Sequence, residues 1–201
     1  MPPGAGLTMG LAAGVAAALA AAGEAFGPAP AAPPAPRWGA LYLELVPGDE
    51  SLATDIELVY EGYLLHYRES RAVALAADDL ETRLLAGDCF YARGVRGVAA
   101  RGDAAGVGLL SRLMAACSYL RAAGAPFAAD DALWAYTTAG LAAQHAGDDP
   151  AEVAALFDAV EAGFAASGPD AVRAAVVAAA ARLTLSDAAP LWRELDAVAG
   201  R

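Results

Sequence analysis

Lysine is absent from this chain of 201 residues, and all 13 basic residues are arginines. Without lysine, neither Schiff-base catalysis nor a P-loop nucleotide site is possible. Histidine and cysteine are also scarce, with two of each, and no CxxC pair or multi-histidine cluster is available for zinc. The hydrolase motif G-x-S-x-G and the metalloprotease motif HExxH are missing as well. Several common catalytic classes are therefore excluded.

Basic residues are fewer than acidic residues. The chain has 24 acidic residues against 13 arginines, a net charge of −11, and a pI near 4.5. This balance argues against nucleic acid or an anionic membrane surface as the main partner. No basic residue precedes Arg37, although signal peptides begin with positive charge. Gly10 and Gly14 interrupt the N-terminal apolar run, which barely reaches the ~20 residues of a membrane span. We expect no membrane span and a cytoplasmic protein, with secretion as the alternative.

Alternating apolar and polar residues, the mark of strands, are rare. Only Arg37–Val46 reads as a plausible strand, and it is isolated. Hydrophobic residues make up 58% of the chain, largely because of alanine, the best helix former. After Asp49, apolar residues recur at helical spacing between short polar connections, which favour antiparallel neighbours. The sequence predicts an all-α antiparallel helical bundle.

Two regions are predicted. Residues 1–36 form an Ala/Gly/Pro-rich segment, with an isolated or loosely docked helix over 1–26 and a flexible linker over Gly27–Pro36, and residues 37–201 form the helical domain. Cys89 and Cys117 are expected as buried free thiols. Helices are predicted over 51–75, from Asp78 or Asp79 to Arg101, over 102–124, 127–146 and 151–166, from Asp170 to Leu185, and from Ser186 onward.

Short motifs resemble those of the isoprenyl diphosphate synthases. One helix of that family reads roughly E-L-x-H-x-x-x-L-x-H-D-D-x-x-D, and a later helix opens with L-A-G-D. Here Glu57-Leu58 and Leu65-His66 match the first pattern, and Leu85-Ala86-Gly87-Asp88 matches the second. The resemblance covers residues 55–93 well and 100–146 loosely. It implies a truncated isoprenoid synthase fold.

The aspartates of the first family motif are replaced. Their three positions hold Tyr67, Arg68 and Arg71. In the family these carboxylates hold Mg²⁺, a hard cation that prefers oxygen ligands. At an effective dielectric of 20, an arginine about 4 Å from Mg²⁺ is repelled by roughly 8 kcal/mol. The nearest candidate for a second aspartate motif, Asp148-Asp149, is better explained as a pair of helix N-caps. We predict no metal site, no cofactor and no catalytic residue.

Four residues remain as candidate ligand-binding positions: His66, Arg68, Arg71 and Asp88. The two arginines could bind a phosphate without metal, because guanidinium forks match phosphate oxygens. The favoured interpretation is that they pair with Glu69, Asp55 or Glu61 on exposed helix faces. His66 could orient a ligand or belong to the core. Asp88 is interpreted as part of the scaffold, beside a close helix contact at Gly87.

The resemblance implies a non-catalytic subunit, a partner or regulator of a catalytic prenyl diphosphate synthase. The small component of two-component heptaprenyl diphosphate synthases is similar in size, retains L-A-G-D and lacks aspartate-rich motifs. The alternative is a stand-alone module that binds an isoprenoid or another lipid in a metal-free helical cavity. A catalytically active synthase with an atypical site is a third possibility. An exposed apolar helix face would favour the subunit, and a closed internal tunnel would favour the lipid-binding module.

Overall fold

The computed structural model describes residues 5–27, 35–76 and 78–199, with side chains from residue 10 onward. Within those ranges it contains no strand, so the predicted all-α class is confirmed. A short 3-10 turn, Pro169–Ala171, precedes the eighth helix. The described helices are α1 Ala5–Gly23, α2 Trp38–Leu45, α3 Glu50–Tyr67, α4 Leu80–Ala100, α5 Ala104–Ala122, α6 Phe127–Ala146, α7 Pro150–Ser167, α8 Val172–Ala180 and α9 Ala189–Ala199.

The helices form two compact units. The first contains the chain up to Leu43 together with Gly48–Ala104, and therefore holds α1, most of α2, α3 and α4. The second contains Glu44–Pro47 and the chain from Ala105 onward. The predicted linker, Gly27–Pro36, lies mostly outside the described residues, and the predicted domain boundary after residue 36 stays a prediction.

Helix α2 replaces the predicted strand. Trp38, Leu41, Tyr42 and Leu45 are all buried, and their spacing of three and four residues is that of one helix face. The segment Arg37–Val46 contains only one β-branched residue, Val46, so its intrinsic preference for a strand is weak. The apparent alternation came from leucine and tyrosine, which pack equally well on a helix.

Helix α1 is firmly docked, contrary to the loose attachment that we predicted. Leu11, Val15 and Leu19 are 1%, 0% and 2% exposed, and α1 packs against α3 and α4. These residues recur every four positions and form an apolar stripe along a helix that otherwise consists mostly of alanine and glycine. Burial of this stripe attaches the N-terminal helix to the first unit.

Helices α3 and α4 pack as an antiparallel pair at very short distance. Asp55 near the start of α3 lies against Gly97 near the end of α4, and Gly62 lies against Gly87. A Cβ atom added to Gly94 would come within 2.6 Å of the Asp55 carbonyl oxygen. Glycine is therefore required along this crossing, and the expected close contact at Gly87 is confirmed.

Helix α3 ends eight residues earlier than the predicted Leu75. Its last residue is Tyr67, and Arg68 leaves the helix with φ −138° and ψ −160°. Arg68 and Arg71 therefore do not lie one turn apart on a helix. The cause is the buried carboxylate of Glu61, which accepts hydrogen bonds from the main chain that follows the helix.

Most other predicted boundaries agree with the structure to within a few residues, although α8 ends at Ala180 rather than near Leu185. Asp79 caps α4 by accepting from the Thr82 amide at 3.1 Å. Asp149 caps α7 by accepting from the Ala151 amide at 2.9 Å, as predicted. Asp148 is not a cap, since its carboxylate accepts from the Thr184 amide at 2.9 Å.

The second unit is organised around α6, which contacts α7, α8 and α9. Every α6 side chain from Asp130 to Ala143 is buried, and Asp130 pairs with Arg121 at 2.8 Å. Burial raises the pKa of the Tyr136 hydroxyl well above its usual range. Both cysteines are free thiols, with Cys117 buried and Cys89 partly exposed. None of the described helices is both long and apolar enough to cross a membrane.

Candidate functional site

Two glutamates on α3 are buried inside the first unit. Glu57 and Glu61, one helical turn apart, are both 0% exposed. The Glu57 Oε1 atom accepts hydrogen bonds from the amides of Arg37 at 2.6 Å and Gly39 at 2.8 Å. These amides belong to the start of α2, where a negative charge is favoured by the helix dipole. Glu57 therefore attaches the N-terminus of α2 to α3.

Glu61 binds the chain that follows α3. Its Oε1 atom accepts from the Ser70 hydroxyl at 2.8 Å and from the amides of Arg71 at 2.6 Å and Ala72 at 3.0 Å. The Ser70 hydroxyl in turn accepts from the amides of Ala72 and Val73. Buried polar groups need such partners, and here main-chain donors supply them. The chain must leave the helix to present these donors, which explains why α3 stops at Tyr67.

Arg71 lies between the two glutamates. Its Nε atom is 3.0 Å from Glu61 Oε2, and its Nη2 atom is 2.9 Å from Glu57 Oε2, an ion pair whose alignment falls short of a hydrogen bond. Burial alone would lower the pKa of Arg71, but the charges of Glu57 and Glu61 outweigh it and raise the pKa further. We call Glu57, Glu61 and Arg71 the ion cluster. Its formal charge is −1, and main-chain amides donate to both carboxylates, so the cluster is a buried structural support.

Aromatic rings cover this cluster. The Arg71 guanidinium lies 4.7 Å from the centre of the Tyr60 ring, within cation–π range. Tyr60 stacks on Tyr63 at 5.9 Å and meets the edge of Trp38 at the same separation. Trp38, Tyr60 and Tyr63 are all at most 4% exposed. Water is thus largely excluded from the charges, which strengthens their mutual attraction.

Arg71, one of the two candidate arginines, follows the pairing alternative. Its partner Glu61 was anticipated, but the pair is buried and lies in a loop, not on an exposed helix face. Asp55 instead pairs with Arg101 at 2.7 Å. Burial raises the pKa of Asp55, and Arg101 opposes that rise. The Arg71 guanidinium is thus engaged with two glutamates, and phosphate binding by Arg71 stays a prediction.

His66 and Asp88 lie together between α3 and α4. The His66 Nε2 atom is 3.2 Å from Asp88 Oδ1, again without the alignment of a hydrogen bond. The side chain of His66 is 17% exposed and that of Asp88 is 72% exposed. The imidazole lies 5.2 Å from the Tyr91 ring and against Gly87. The helix crossing brings these two predicted residues together, in a packing arrangement between two helices.

Arg68 lines a cavity next to the ion cluster. This cavity has a volume of about 280 Å³, and its lining includes a second guanidinium, that of Arg83. Arg68 also lies over the Tyr63 ring at 5.7 Å. Arg83 donates through Nη2 to the carbonyls of Arg68 at 2.9 Å and Leu65 at 3.3 Å. We call this space the arginine cavity. The described residues that line it are Leu65, Arg68, Glu69, Ser70, Val73, Ala74, Leu75 and Arg83.

The described residues do not fit the Mg²⁺ ions that the resemblance would imply. No group of three or more His, Cys, Asp or Glu in that part of the chain is arranged to hold a metal. Glu57 and Glu61 are the only carboxylates in the ion cluster, and Arg71 already occupies the space between them. A divalent cation would have to displace this guanidinium.

Sequence reasoning missed Arg83, Ser70 and the central role of Glu57 and Glu61. One signal was available for the glutamates. They are charged residues four positions apart inside the apolar run Ile56–Leu65, and buried charges need partners. Nothing in the sequence spacing identifies Arg83, because it reaches the end of α3 only through the antiparallel crossing of α4.

A leucine patch is exposed at the start of α4. Leu80, Leu84 and Leu85 are 57%, 39% and 64% exposed and follow one another along the first two turns. Acidic residues border them, namely Asp78, Asp79, Glu81 and Asp88, all of which are exposed. Exposed apolar residues clustered within a polar rim are typical of interaction sites.

Comparisons with known proteins give no match to this chain, whether with protein-family models, curated proteins or solved structures.

Proposed function

We propose that this chain is a non-catalytic, isoprenyl-diphosphate-synthase-like protein that acts as a partner or regulatory subunit of a catalytic prenyl diphosphate synthase. The observation that carries the partner role is the leucine patch, because an exposed apolar helix face is the feature that separates a subunit from a lipid carrier. The motif resemblance over residues 55–93 supplies the choice of partner. Cytoplasmic location belongs to the same proposal.

The lack of catalysis is supported by the ion cluster. The position that corresponds to the third metal-binding aspartate of the resembled family holds Arg71, and this arginine pairs with two buried glutamates. Helix α3 also ends before Arg68, so the positions at 68 and 71 leave the helix that would present them to a metal. Any prenyltransferase activity would therefore come from the partner's own site.

A stand-alone lipid-binding role has less support. Three cavities of the described residues have volumes of about 280, 200 and 120 Å³. Ligand pockets usually enclose roughly 300–1,000 Å³. A long isoprenoid chain would need a larger enclosed space than any of these three provides.

The test is a reconstitution with the full chain. Tagged protein is used to isolate a synthase from the source cells, and product formation is measured with allylic diphosphate, isopentenyl diphosphate and Mg²⁺. We expect no turnover by the chain alone, and a defined product from the synthase only when the chain is present. Turnover by the chain alone, or a synthase whose product is unchanged by its removal, would contradict the proposal.

The leucine patch can be tested within the same assay. Leu85→Ser should weaken binding to the synthase about tenfold or more, because an exposed leucine at an interface contributes through its burial there. Phe127→Ser is the matched control, since Phe127 is also an exposed apolar residue, at 42%, but lies on α6. Equal effects of the two substitutions would rule out the leucine patch as the binding surface.

A further inference from the structure

We infer that the exposed face of α4 binds a single helix of the partner protein. This helix lies antiparallel to α4, with its basic half against the acidic half of α4 and its acidic half against the basic half. The binding mode rests on the proposed subunit role and specifies the surface that such a subunit uses. It extends the contact from the leucine patch along the whole of α4, from Leu80 to Ala100.

One side of α4 is exposed along the entire helix. Its residues recur at spacings of four and three positions, which places them on one helix face about 30 Å long. Phe90, Gly94 and Val98 lie on the opposite side, which is buried. We call the exposed side the α4 face. The residues along its centre are Glu81, Leu85, Asp88, Ala92, Arg96 and Ala99.

The charges on the α4 face change sign halfway along the helix. Glu81 and Asp88 lie in the first half, and Arg93 and Arg96 lie in the second half, and all four are exposed. Arg83 also belongs to the first half, but its guanidinium donates to main-chain carbonyls at the end of α3. The α4 face therefore has an acidic half that contains the leucine patch and a basic half beyond it.

Interactions within α4 do not account for this order of charges. The helix dipole acts mainly on the first and last turns, and Asp88, Arg93 and Arg96 lie in neither. Side chains pair within a helix when they are three or four residues apart. Asp88 is five residues from Arg93 and eight from Arg96. The separated charges are thus suited to a surface outside the helix.

The complementary surface is a helix with acidic residues in its first half and basic residues in its second half. The dipole favours this order in any helix, and such a helix meets both halves of the α4 face only when it runs antiparallel. Leu85 and Ala92, two turns apart, present a large and a small side chain, into which the ridges of a second helix can pack. The net charge of −11 opposes a second copy of this chain as the occupant.

The order of charges is tested by exchanging two of them in the full chain. The double variant Glu81→Arg with Arg96→Glu keeps the composition and the net charge, but it places like charges against both ends of the partner helix. We expect it to bind the isolated synthase about tenfold or more weakly than the unmodified chain.

The matched control exchanges two exposed residues outside the α4 face. Glu152 lies in the first turn of α7, as Glu81 does in α4, and Arg173 lies on α8. Glu152→Arg with Arg173→Glu should leave the affinity unchanged. If the Glu81 and Arg96 exchange is folded by circular dichroism and binds like the unmodified chain, the inference is overturned.

Photo-crosslinking identifies the occupant without prior isolation of a synthase. Cys89 is partly exposed at the edge of the α4 face and Cys117 is buried, so benzophenone maleimide should label Cys89 in the folded chain. The labelled chain is irradiated in an extract of the source cells, and the crosslinked peptide is sequenced by mass spectrometry, with Cys89→Ser as the control. We expect a segment with helical periodicity, an acidic first half and a basic second half. In the Cys89→Ser background, Ala99→Cys should crosslink nearer the start of the same segment.

The outcomes separate this inference from the proposed function. A segment with the expected order of charges in a protein that is not a synthase would support the inference and contradict the proposed function. A segment without this order, a second copy of the chain, or no specific crosslink would overturn the inference. A crosslink from Ala99→Cys nearer the end of the segment would overturn the antiparallel orientation.

Discussion

Arg71 shows how one side chain can occupy the space that a divalent cation would need and also stabilise a fold. Its guanidinium contacts two glutamates that are completely buried. A buried ion pair adds little net stability over an apolar replacement of the whole group, but removal of a single partner leaves a charge without compensation. The ion cluster is therefore sensitive to change at any one of its three members.

Arg71→Leu should lower the free energy of unfolding by about 3–5 kcal/mol, because Glu57 and Glu61 would remain buried without their cation. Urea unfolding followed by circular dichroism measures this loss. The matched control is Arg96→Leu on the exposed side of α4, for which we expect a change within about 0.5 kcal/mol. Similar small losses for both variants would show that the glutamates are satisfied without Arg71.

Tyr42 should make the fold sensitive to high pH. Burial, assisted by the charge of Asp49, raises the pKa of Tyr42 to about 12 from the ordinary 10.0. The unfolded chain then loses this proton first, so stability declines above pH 10 and continues to fall up to about pH 12. Between pH 9 and pH 11 the loss from this group is about 1 kcal/mol.

Tyr42→Phe isolates that contribution. The variant should lose about 1 kcal/mol less stability than the unmodified chain between pH 9 and pH 11, as measured by urea unfolding at both values. Tyr136, whose pKa is also raised, acts in the same direction in both proteins and cancels from the difference. No lysine titrates in this range. Identical pH dependence of the two proteins would contradict the assignment.

At the scale of elements, the first unit depends on the close crossing of α3 and α4. Gly62 and Gly87 meet near the middle, and an added Cβ on Gly62 would lie 2.7 Å from the Tyr91 ring and 2.9 Å from the Gly87 carbonyl oxygen. The crossing brings Arg83 to the end of α3 and His66 to Asp88. Both the arginine cavity and the His66–Asp88 contact are consequences of this geometry.

Gly94→Ala should destabilise the protein by about 1–3 kcal/mol, since the new methyl group would press on the α3 backbone and force the helices apart. Thermal unfolding measures the change. Gly108→Ala on α5 is the matched control, because nothing lies within 4 Å of its added Cβ. There the better helix propensity of alanine should add up to about 1 kcal/mol. Stabilisation by both substitutions would mean that the crossing is less tight than described.

At the scale of the whole molecule, the net charge should affect two kinds of association through the leucine patch in different ways: self-association of the chain and binding to a partner. Two copies of a chain with net charge −11 repel each other, whereas a partner with a basic rim is attracted to the acidic border of the patch. Added salt weakens both effects, so it should favour self-association and oppose binding to the partner.

Sedimentation at 50 mM and 500 mM NaCl can test this difference. We expect the chain alone to stay monomeric at 50 mM NaCl and to self-associate more strongly at 500 mM NaCl. Binding to the isolated synthase should weaken over the same range by about tenfold or less, as is typical for charges at the edge of an interface. Strengthening of the heteromeric complex by salt would indicate a purely apolar contact.

The helices themselves were largely predictable from local signals. Asp79 and Asp149 mark the starts of α4 and α7, and Gly147 ends α6 in a left-handed conformation that glycine readily adopts. Alanine-rich segments with apolar residues at helical spacing supplied the rest. The exception was α2, where leucine and tyrosine fit either secondary structure and only tertiary burial decides.

The site was less predictable, because its contacts join residues that are distant in sequence. The end of α3 at Tyr67 depends on a carboxylate that captures main-chain amides ten and eleven residues later. The secondary-structure preferences of residues Arg68–Leu75 do not indicate that interaction. Arg83 reaches the cavity through the helix crossing, which the motif L-A-G-D indicates only through Gly87.

The ion cluster also has an evolutionary consequence. A single substitution of Arg71 by an acid would place a third carboxylate beside two that are already buried. This change would destabilise the fold before any metal could bind. A metal site at this position would require Glu57, Glu61 and the loop after α3 to change together. Arg71 therefore stands against metal binding in any single substitution, because each one-residue change of the ion cluster leaves a buried charge without compensation.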